Sequence, residues 1–229
     1  MCVFIPCYNE APILGEVISD VKKIFSKSGY DFDIVVVDDF STDNSSGVAS
    51  KSGVLVVNHV MNTGVGGATA TGLEYAARKG YDYAVSIDAD GQHSAKDALA
   101  CLKEAERTKS DLVIGSRLIN SKGMSMVKII GNKGLSIITY ILFGVNVSDS
   151  QSGLRVFSRR AIEALRWKSP GYEFCSEMLW RAKQLKMSIH EYPIEAIYTE
   201  YSKSKGQNNW NGINIVKTLV KQKIVEVLE

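Results

Sequence analysis

The chain has 229 residues, 45% of them apolar and 23% charged, with a formal net charge of +2. That length suffices for one large core, hiding roughly 70% of the unfolded surface, and so small a net charge excludes a general nucleic-acid binder. Four cysteines, Cys2, Cys7, Cys101 and Cys175, lack any CxxC spacing, which argues against a disulfide framework or zinc site and for buried thiols in a reducing cytosol.

The first half alternates apolar strands with helical patterns. CVFIP (2–6) reads as a buried strand with no basic leader before it, so no signal peptide is expected. Over 10–28, Ile13, Leu14, Val17, Ile18, Val21, Ile24 and Phe25 recur at helical spacing, with Asn9 as the expected N-cap and Pro12 tolerated in the first turn. Strands follow at 33–39, 54–59, 83–88 and 111–116, with helices near 43–52, 66–79 and 95–108 between them. Repeated βα units with continuous apolar strands predict an α/β fold whose mostly parallel sheet is covered on both faces.

After Arg117 the rhythm changes. A loop at 120–126 leads to an apolar helix near 127–143, which Lys128, Asn132 and Lys133 make too polar and short for a membrane span. A strand is expected at 154–158, helices at 159–166 and 173–185, and short strands at 187–191 and 194–199. The polar loop 201–212 precedes a last helix, 213–228, with Ile213, Val216, Leu219, Val220, Ile224 and Leu228 beside Lys217, Lys221 and Lys223. Packing on the core or on a partner helix is the first reading of that helix, and an interfacial position on anionic lipid is the alternative. No internal repeat or Pro/Gly linker divides the chain. One catalytic domain over 1–229 is expected, with halves 1–117 and 118–212 and the helix 213–228 appended.

Ligands of open α/β sheets bind beyond the carboxyl ends of the strands. Polar clusters stand at four such ends: Pro6 to Glu10, Asp38-Asp39, Asp88-Ala89-Asp90, and Gly115-Ser116-Arg117. Carboxylates crowded on one rim repel unless a cation lies between them. Helix capping is the alternative, but the set favours a nucleotide and metal site. Asp88, Asp90 and Gln92 offer hard oxygen ligands on one loop, suited to Mg²⁺ or Mn²⁺ and to a diphosphate. His93 reads as an outward turn residue and, second to that, as a ligand. His59 and His190 read as isolated. In NTGVGGATATG (62–72), Thr69 stands where a dinucleotide fingerprint needs glycine. Its glycines, Gly67 among them, are expected to let a helix start approach a donor with its backbone N–H groups.

Together FIPCYNE (4–10), IVVVDDFSTDNS (34–45), NTGVGGATATG (62–72), IDADGQH (87–93), GSR (115–117) and DSQSGLRVFSR (149–159) resemble glycosyltransferase family 2, inverting nucleotide-sugar transferases of GT-A fold. The match runs from residue 3 to about 200 and looks most like the branch that makes polyprenyl-phosphate sugars, such as dolichyl-phosphate mannose synthases. The resemblance implies a nucleoside site of Pro6, Tyr8, Glu10, Asp38 and Asp39, a metal and diphosphate site of Asp88, Ala89, Asp90 and Gln92, and Arg117 facing the phosphates. It also implies an acceptor side shaped by Ser152, Gly153 and Arg155, and Glu177 as a base if the acceptor is a hydroxyl.

The branch's second arginine after GSR is missing, leaving Lys128 and Lys133 as the cations there, and the QxxRW motif of processive members is absent. The implied partners are a nucleotide-sugar donor, UDP-sugar ahead of GDP-sugar, and a polyprenyl phosphate at the cytoplasmic face of a membrane. A membrane-protein partner and an oligomer both suit this reading. Rival readings are transfer to a sugar hydroxyl and a silent nucleotide-binding module. Lys203 and Lys205 lie in a stretch that reads as a solvated connector or as a lid over the diphosphate.

Overall fold

The computed structural model describes residues 1–198, Tyr201 and 210–228. Its strands are β1 (Cys2–Cys7), β2 (Asp33–Asp38), β3 (Leu55–Asn58), β4 (Tyr83–Ser86), β5 (Leu112–Ser116), β6 (Arg155–Ser158) and β7 (Ile189–Pro193). Its helices are α1 (Ala11–Phe25), α2 (Ser45–Lys51), α3 (Gly64–Lys79), α4 (Ala95–Thr108), α5 (Met126–Phe143), α6 (Arg159–Ala164), α7 (Phe174–Gln184) and α8 (Trp210–Leu228). The seven strands form one sheet in the order β3-β2-β1-β4-β6-β5-β7.

Alternation along each strand builds two cores. Phe4, Val35, Val37, Leu112 and Phe157 face α3, α6 and α7. Val3, Ile5, Val36, Val85, Val113 and Val156 face α1, α2 and α4. Both faces are thereby covered, as continuous apolar strands require. All four cysteines are buried and free.

The sheet departs from the parallel rule at one strand. β6 pairs antiparallel with both β4 and β5, so it separates strands that are successive in the chain. Reversal brings the start of β6 to the rim where β4 ends. The register Ser86 to Arg155, carried two residues further, sets Asp88 opposite Gly153.

Three expectations are corrected. No strand forms over 194–198. That segment instead bonds across loops, Ile194 N–H to the Ser116 carbonyl at 3.0 Å and Ile197 N–H to the Gln92 carbonyl at 3.1 Å. Asn9 is not an N-cap: its φ is +56°, and its Oδ1 accepts from the Thr42 and Asp43 amides at 2.8 and 3.3 Å. The first turn of α1 is satisfied from the β2 side, where Asp43 Oδ2 accepts from Ala11 N–H. The apolar helix α5 is long and apolar enough to cross a membrane by length and composition, with mean hydropathy 1.3 and 17% of it buried. Ser136, Thr139 and Phe143 nevertheless tie one face of it to the body.

Candidate active site

The loops after β1 and β2 build the first part of the rim. Tyr8 is half exposed there, while Pro6 is buried. Asp39 is almost wholly buried, and its Oδ1 accepts from the Thr63 amide and hydroxyl at 2.8 Å each and from His59 Nδ1 at 2.7 Å. His59 Nε2 meets the Thr71 hydroxyl at 2.9 Å. The imidazole is thus a strut between Asp39 and α3, a role its isolation in the sequence does not announce. Asp38 Oδ2 accepts from Ser41 N–H, and its buried Oδ1 has no partner among the described residues. Glu10 accepts from the Tyr201 hydroxyl at 2.8 Å.

The glycines of α3 serve a different purpose from the expected one. A Cβ on Gly64 would meet the Pro170 carbonyl, and one on Gly66 the Ser169 carbonyl. Gly66 N–H donates to the Pro170 carbonyl at 2.7 Å, and Trp167 Nε1 donates to the Gly66 carbonyl at 2.9 Å. The helix start is stitched to the 167–170 loop, so the Gly66 N–H is not available to a donor. Gly67 makes room for the Thr63 side chain, which in turn holds Asp39.

The β4–α4 loop carries the close carboxylates. Gly91, at φ +74°, doubles the chain back, so Gln92 closes on Asp90 through its amide N–H at 2.9 Å and its Nε2 at 2.6 Å. Ala89 turns its methyl into the core, leaving only its backbone near the cleft. Burial pushes the Asp88 carboxyl up despite Arg117 and Arg155 nearby. Burial and then Asp88 push Asp90 up as well. His93 is buried rather than outward: its side chain is 1% exposed, with Nδ1 3.4 Å from Asp88 Oδ2. Burial and Arg117 keep the ring neutral, lowering its pKa to about 4.

Two carboxylates raised by burial and by a neighbouring carboxylate, Glu10 for Asp88 and Asp88 for Asp90, fit a divalent cation, which would supply the missing charge. Among the described residues no group of three or more His, Cys, Asp or Glu surrounds one point. Such a cation would complete its shell with the Gln92 amide oxygen, water and substrate oxygens, as Mg²⁺ and Mn²⁺ do.

Arg117 follows β5 and is locked by Asp149, with Nε to Oδ2 at 2.8 Å and Nη2 to Oδ1 at 3.0 Å. Burial opposes the Arg117 charge, but Asp149 outweighs it, and the pKa rises. Burial likewise opposes the Asp149 charge, yet Arg117 holds that carboxyl below its usual range. Asp149 is positioned by Glu191 on β7, which accepts from the Ser148 amide and hydroxyl and from the Asp149 amide. Lys128, in the first turn of α5, stands with its Nζ 4.2 Å from the centre of the Tyr198 ring. Burial first and Arg117 second lower its pKa, and Asp90 also acts on it. Tyr198, which the expected strand at 194–199 concealed, therefore belongs to the site.

The residues expected on the acceptor side divide. Lys128 joins the cluster. Lys133 is exposed and, five residues on, stands about 140° around the helix from it. Arg155 is 1% exposed and donates to the Ser152 and Ser150 carbonyls at 3.0 and 2.8 Å. Its guanidinium stands behind Asp88, which corrects the expectation of direct acceptor contact. Ser152 is buried with it. Gly153 is required for close approach, since a Cβ there would land on the Asp88 carboxylate. Glu177 is corrected as a base: 2% exposed, it accepts from the Lys168 and Ser169 amides and the Ser169 hydroxyl at 3.0, 2.8 and 2.5 Å. It holds the loop that carries Tyr172, whose hydroxyl burial, and then Asp88, push up to about 12. Lys203 and Lys205 lie outside the described residues.

The fold and several sequences are familiar. A mannosyl-3-phosphoglycerate synthase from Rubrobacter xylanophilus superposes with a TM-score of 0.74 at 18% identity, covering 99% of this chain and 73% of its own. A glucosyl-3-phosphoglycerate synthase from Mycobacterium tuberculosis, in complex with Mn²⁺, UDP and glucosyl-3-phosphoglycerate, superposes at 0.72 with 19% identity, covering 96% and 76%. At such identities the likeness speaks for the fold, which is GT-A. In sequence, an uncharacterised protein of Methanocaldococcus jannaschii is 43% identical over 97% of this chain and 91% of its own. A UDP-N-acetylglucosamine–dolichyl-phosphate N-acetylglucosaminyltransferase of Methanococcus voltae is 38% identical over 99% and 97%. An undecaprenyl-phosphate mannosyltransferase of Micrococcus luteus is 34% identical over 88% and 85%. Residues 2–166 match the family described as Glycosyl transferase family 2; the chain belongs to that family and is a glycosyltransferase.

Proposed function

We propose that the chain moves a sugar from a nucleotide-diphosphate sugar to a polyprenyl phosphate, in one inverting displacement. The observation that carries this reading is the state of the acceptor side. Glu177 is committed to the 168–169 backbone, while Arg117 and Lys128 stand together near Asp90. A sugar hydroxyl needs a positioned base to take its proton. A phosphate monoester is already anionic and needs cations to place it. The names of the Methanococcus and Micrococcus relatives point to the same acceptor class, and the former supports a UDP-sugar donor.

In this reading Asp39, Asp38 and Glu10 hold the nucleoside, with Asp39 kept in place by His59 and Thr63. Asp88, Asp90 and Gln92 hold Mg²⁺ or Mn²⁺, which when bound neutralises the leaving diphosphate. Arg117, fixed by Asp149, adds its remaining N–H groups on that side. Lys128 steers the acceptor phosphate. One of its oxygens forms the bond to the anomeric carbon as the bond to the nucleoside diphosphate breaks, and no proton need be removed.

The chain would act at the cytoplasmic face of a membrane. Met126, Val127, Ile130, Ile137 and Ile141 of α5 are exposed, and α8 packs beside that helix with Val220 and Ile224 exposed. Each such side chain taken from water contributes about 1.5–3 kcal/mol. Each flanking lysine adds about 1 kcal/mol near anionic lipid. Because Lys128 lies at the α5 start, that apolar face adjoins the acceptor cations.

The test incubates labelled UDP- and GDP-sugars with polyprenyl phosphate, polyprenyl alcohol or free sugars, with Mn²⁺ present. Label should enter the lipid extract with the phosphate alone. Transfer to a free sugar with none to the lipid phosphate would overturn the reading.

A further inference from the structure

His93 has no part in the reaction outlined above, yet it occupies a costly position. It closes the loop that starts at Asp88, and its side chain is 1% exposed. Neither ring nitrogen has a hydrogen-bond partner among the described residues. A buried polar group without a partner carries its full desolvation penalty, and an apolar side chain of similar size would fill the same space without it. The requirement is therefore for the ring's N–H and not for its volume.

The group within reach is Asp88, whose Oδ2 lies 3.4 Å from Nδ1, one small rotation from a hydrogen bond. A neutral imidazole has one N–H to give and one lone pair, and a carboxylate takes the N–H. On the other side of the same carboxylate, the absent side chain of Gly153 leaves room for its close approach. Arg117 and Arg155 act on this carboxylate through charge, and His93 is set against it at near hydrogen-bond distance.

We propose that His93 is a positioning residue for Asp88: the ring donates its Nδ1–H to Oδ2, fixes the plane of the carboxylate and leaves the other oxygen for the cation and diphosphate. The proposal rests on the reading of Asp88 and Asp90 as a cation site. It extends that site inward by one layer, where the partners of metal-binding carboxylates ordinarily set ligand orientation.

Mn²⁺ affinity in the presence of UDP, read by the paramagnetic resonance signal of the free ion, tests it on wild type, His93→Asn and His93→Leu. The two variants have the same number of side-chain heavy atoms branched at the same carbon, and only asparagine keeps an N–H. His93→Leu should lose about 10–100-fold in Mn²⁺ affinity, and His93→Asn should recover most of it, with metal-free melting temperatures within a few degrees of wild type. Equal affinity in folded His93→Leu overturns the proposal while leaving the cation site standing. No measurable Mn²⁺ affinity in wild type overturns both. Nitrogen-15 shifts of the wild-type imidazole give a reading that needs no variant: the proton should be on Nδ1, and the Nε2–H tautomer would overturn the assignment.

Discussion

Two sets of carboxylates in this molecule differ in what they lack. Asp88 and Asp90 are raised by burial and by like charge. Asp149 is lowered by Arg117, Glu177 accepts three hydrogen bonds from residues 168–169, and Glu191 holds the Ser148–Asp149 backbone. Residue type is shared, but Asp88 is the more open, its side chain 34% exposed against 0% for Asp149. The supply of partners separates Glu177 and Asp149, most of whose lone pairs are taken inside the fold, from Asp88 and Asp90, which keep more of theirs for a ligand.

The sharpest way to break the comparison is at the unsaturated pair. Asp90→Asn should reduce transfer by about 10³-fold, the scale of losing a principal electrostatic stabiliser, as measured by label entering the lipid fraction. Asp88→Asn should do the same to activity while raising stability. Its folded pKa is raised, so the native state favours the protonated form. Its contribution to stability is present at low pH and lost as pH rises through the folded value. At pH 7 with a chelator, the neutral isostere should therefore melt higher, by about 2–4 °C, the scale of 1 kcal/mol for a chain of this size. A lower melting temperature would move Asp88 into the saturated group.

Asp149→Asn tests the opposite sign. Removing one partner of a buried pair destabilises by about 3 kcal/mol. The Asp149 pKa is depressed in the fold, so its stability is present above the unfolded value and disappears as pH falls through the folded one. Urea melts from pH 7 downward should show an acid-sensitive loss in wild type that the variant lacks. The smallest effect is expected at Glu177→Gln, about 1–2 kcal/mol of stability from weakened hydrogen bonds, with the pH profile of kcat unchanged. Loss of the acid limb of that profile at unaltered stability would restore Glu177 as a base.

The donor half was legible because its signals are local. An apolar strand followed by a polar cluster identifies a rim position in a parallel sheet, and Asp38-Asp39, Asp88-Asp90 and Arg117 follow that rule. The second half breaks it. β6 runs antiparallel, so its rim residues precede the strand, and Arg155 is buried by carbonyls of 150 and 152 that no periodicity places around it. Similarly, His59 and Tyr198 reach the site through contacts across the sheet edge and between loops, which a linear pattern does not carry. The glycines of 64–67 were visible as a demand for close approach, but the approaching partner, the 169–170 backbone, is about a hundred residues away in sequence. The 194–198 segment has the alternation of a strand, but its Ile194 and Ile197 amides bond to the Ser116 and Gln92 carbonyls instead of to a ladder of its own.

The antiparallel strand has a further consequence for how this chain could change. The excursion from Arg117 to Leu154, which holds α5, leaves and re-enters the sheet at one place. Its ends are joined by Gly115 N–H to the Leu154 carbonyl at 2.9 Å and by the Arg117–Asp149 pair. A closed excursion of this kind can be lengthened at little thermodynamic cost, since each doubling of a flexible loop adds only about 0.6 kcal/mol. The proposed donor site on β1, β2 and β4 is untouched by such a change. The surface proposed to meet the acceptor can therefore vary in length and character as an exchangeable cassette, while the carboxylate-bearing rim beside it stays fixed.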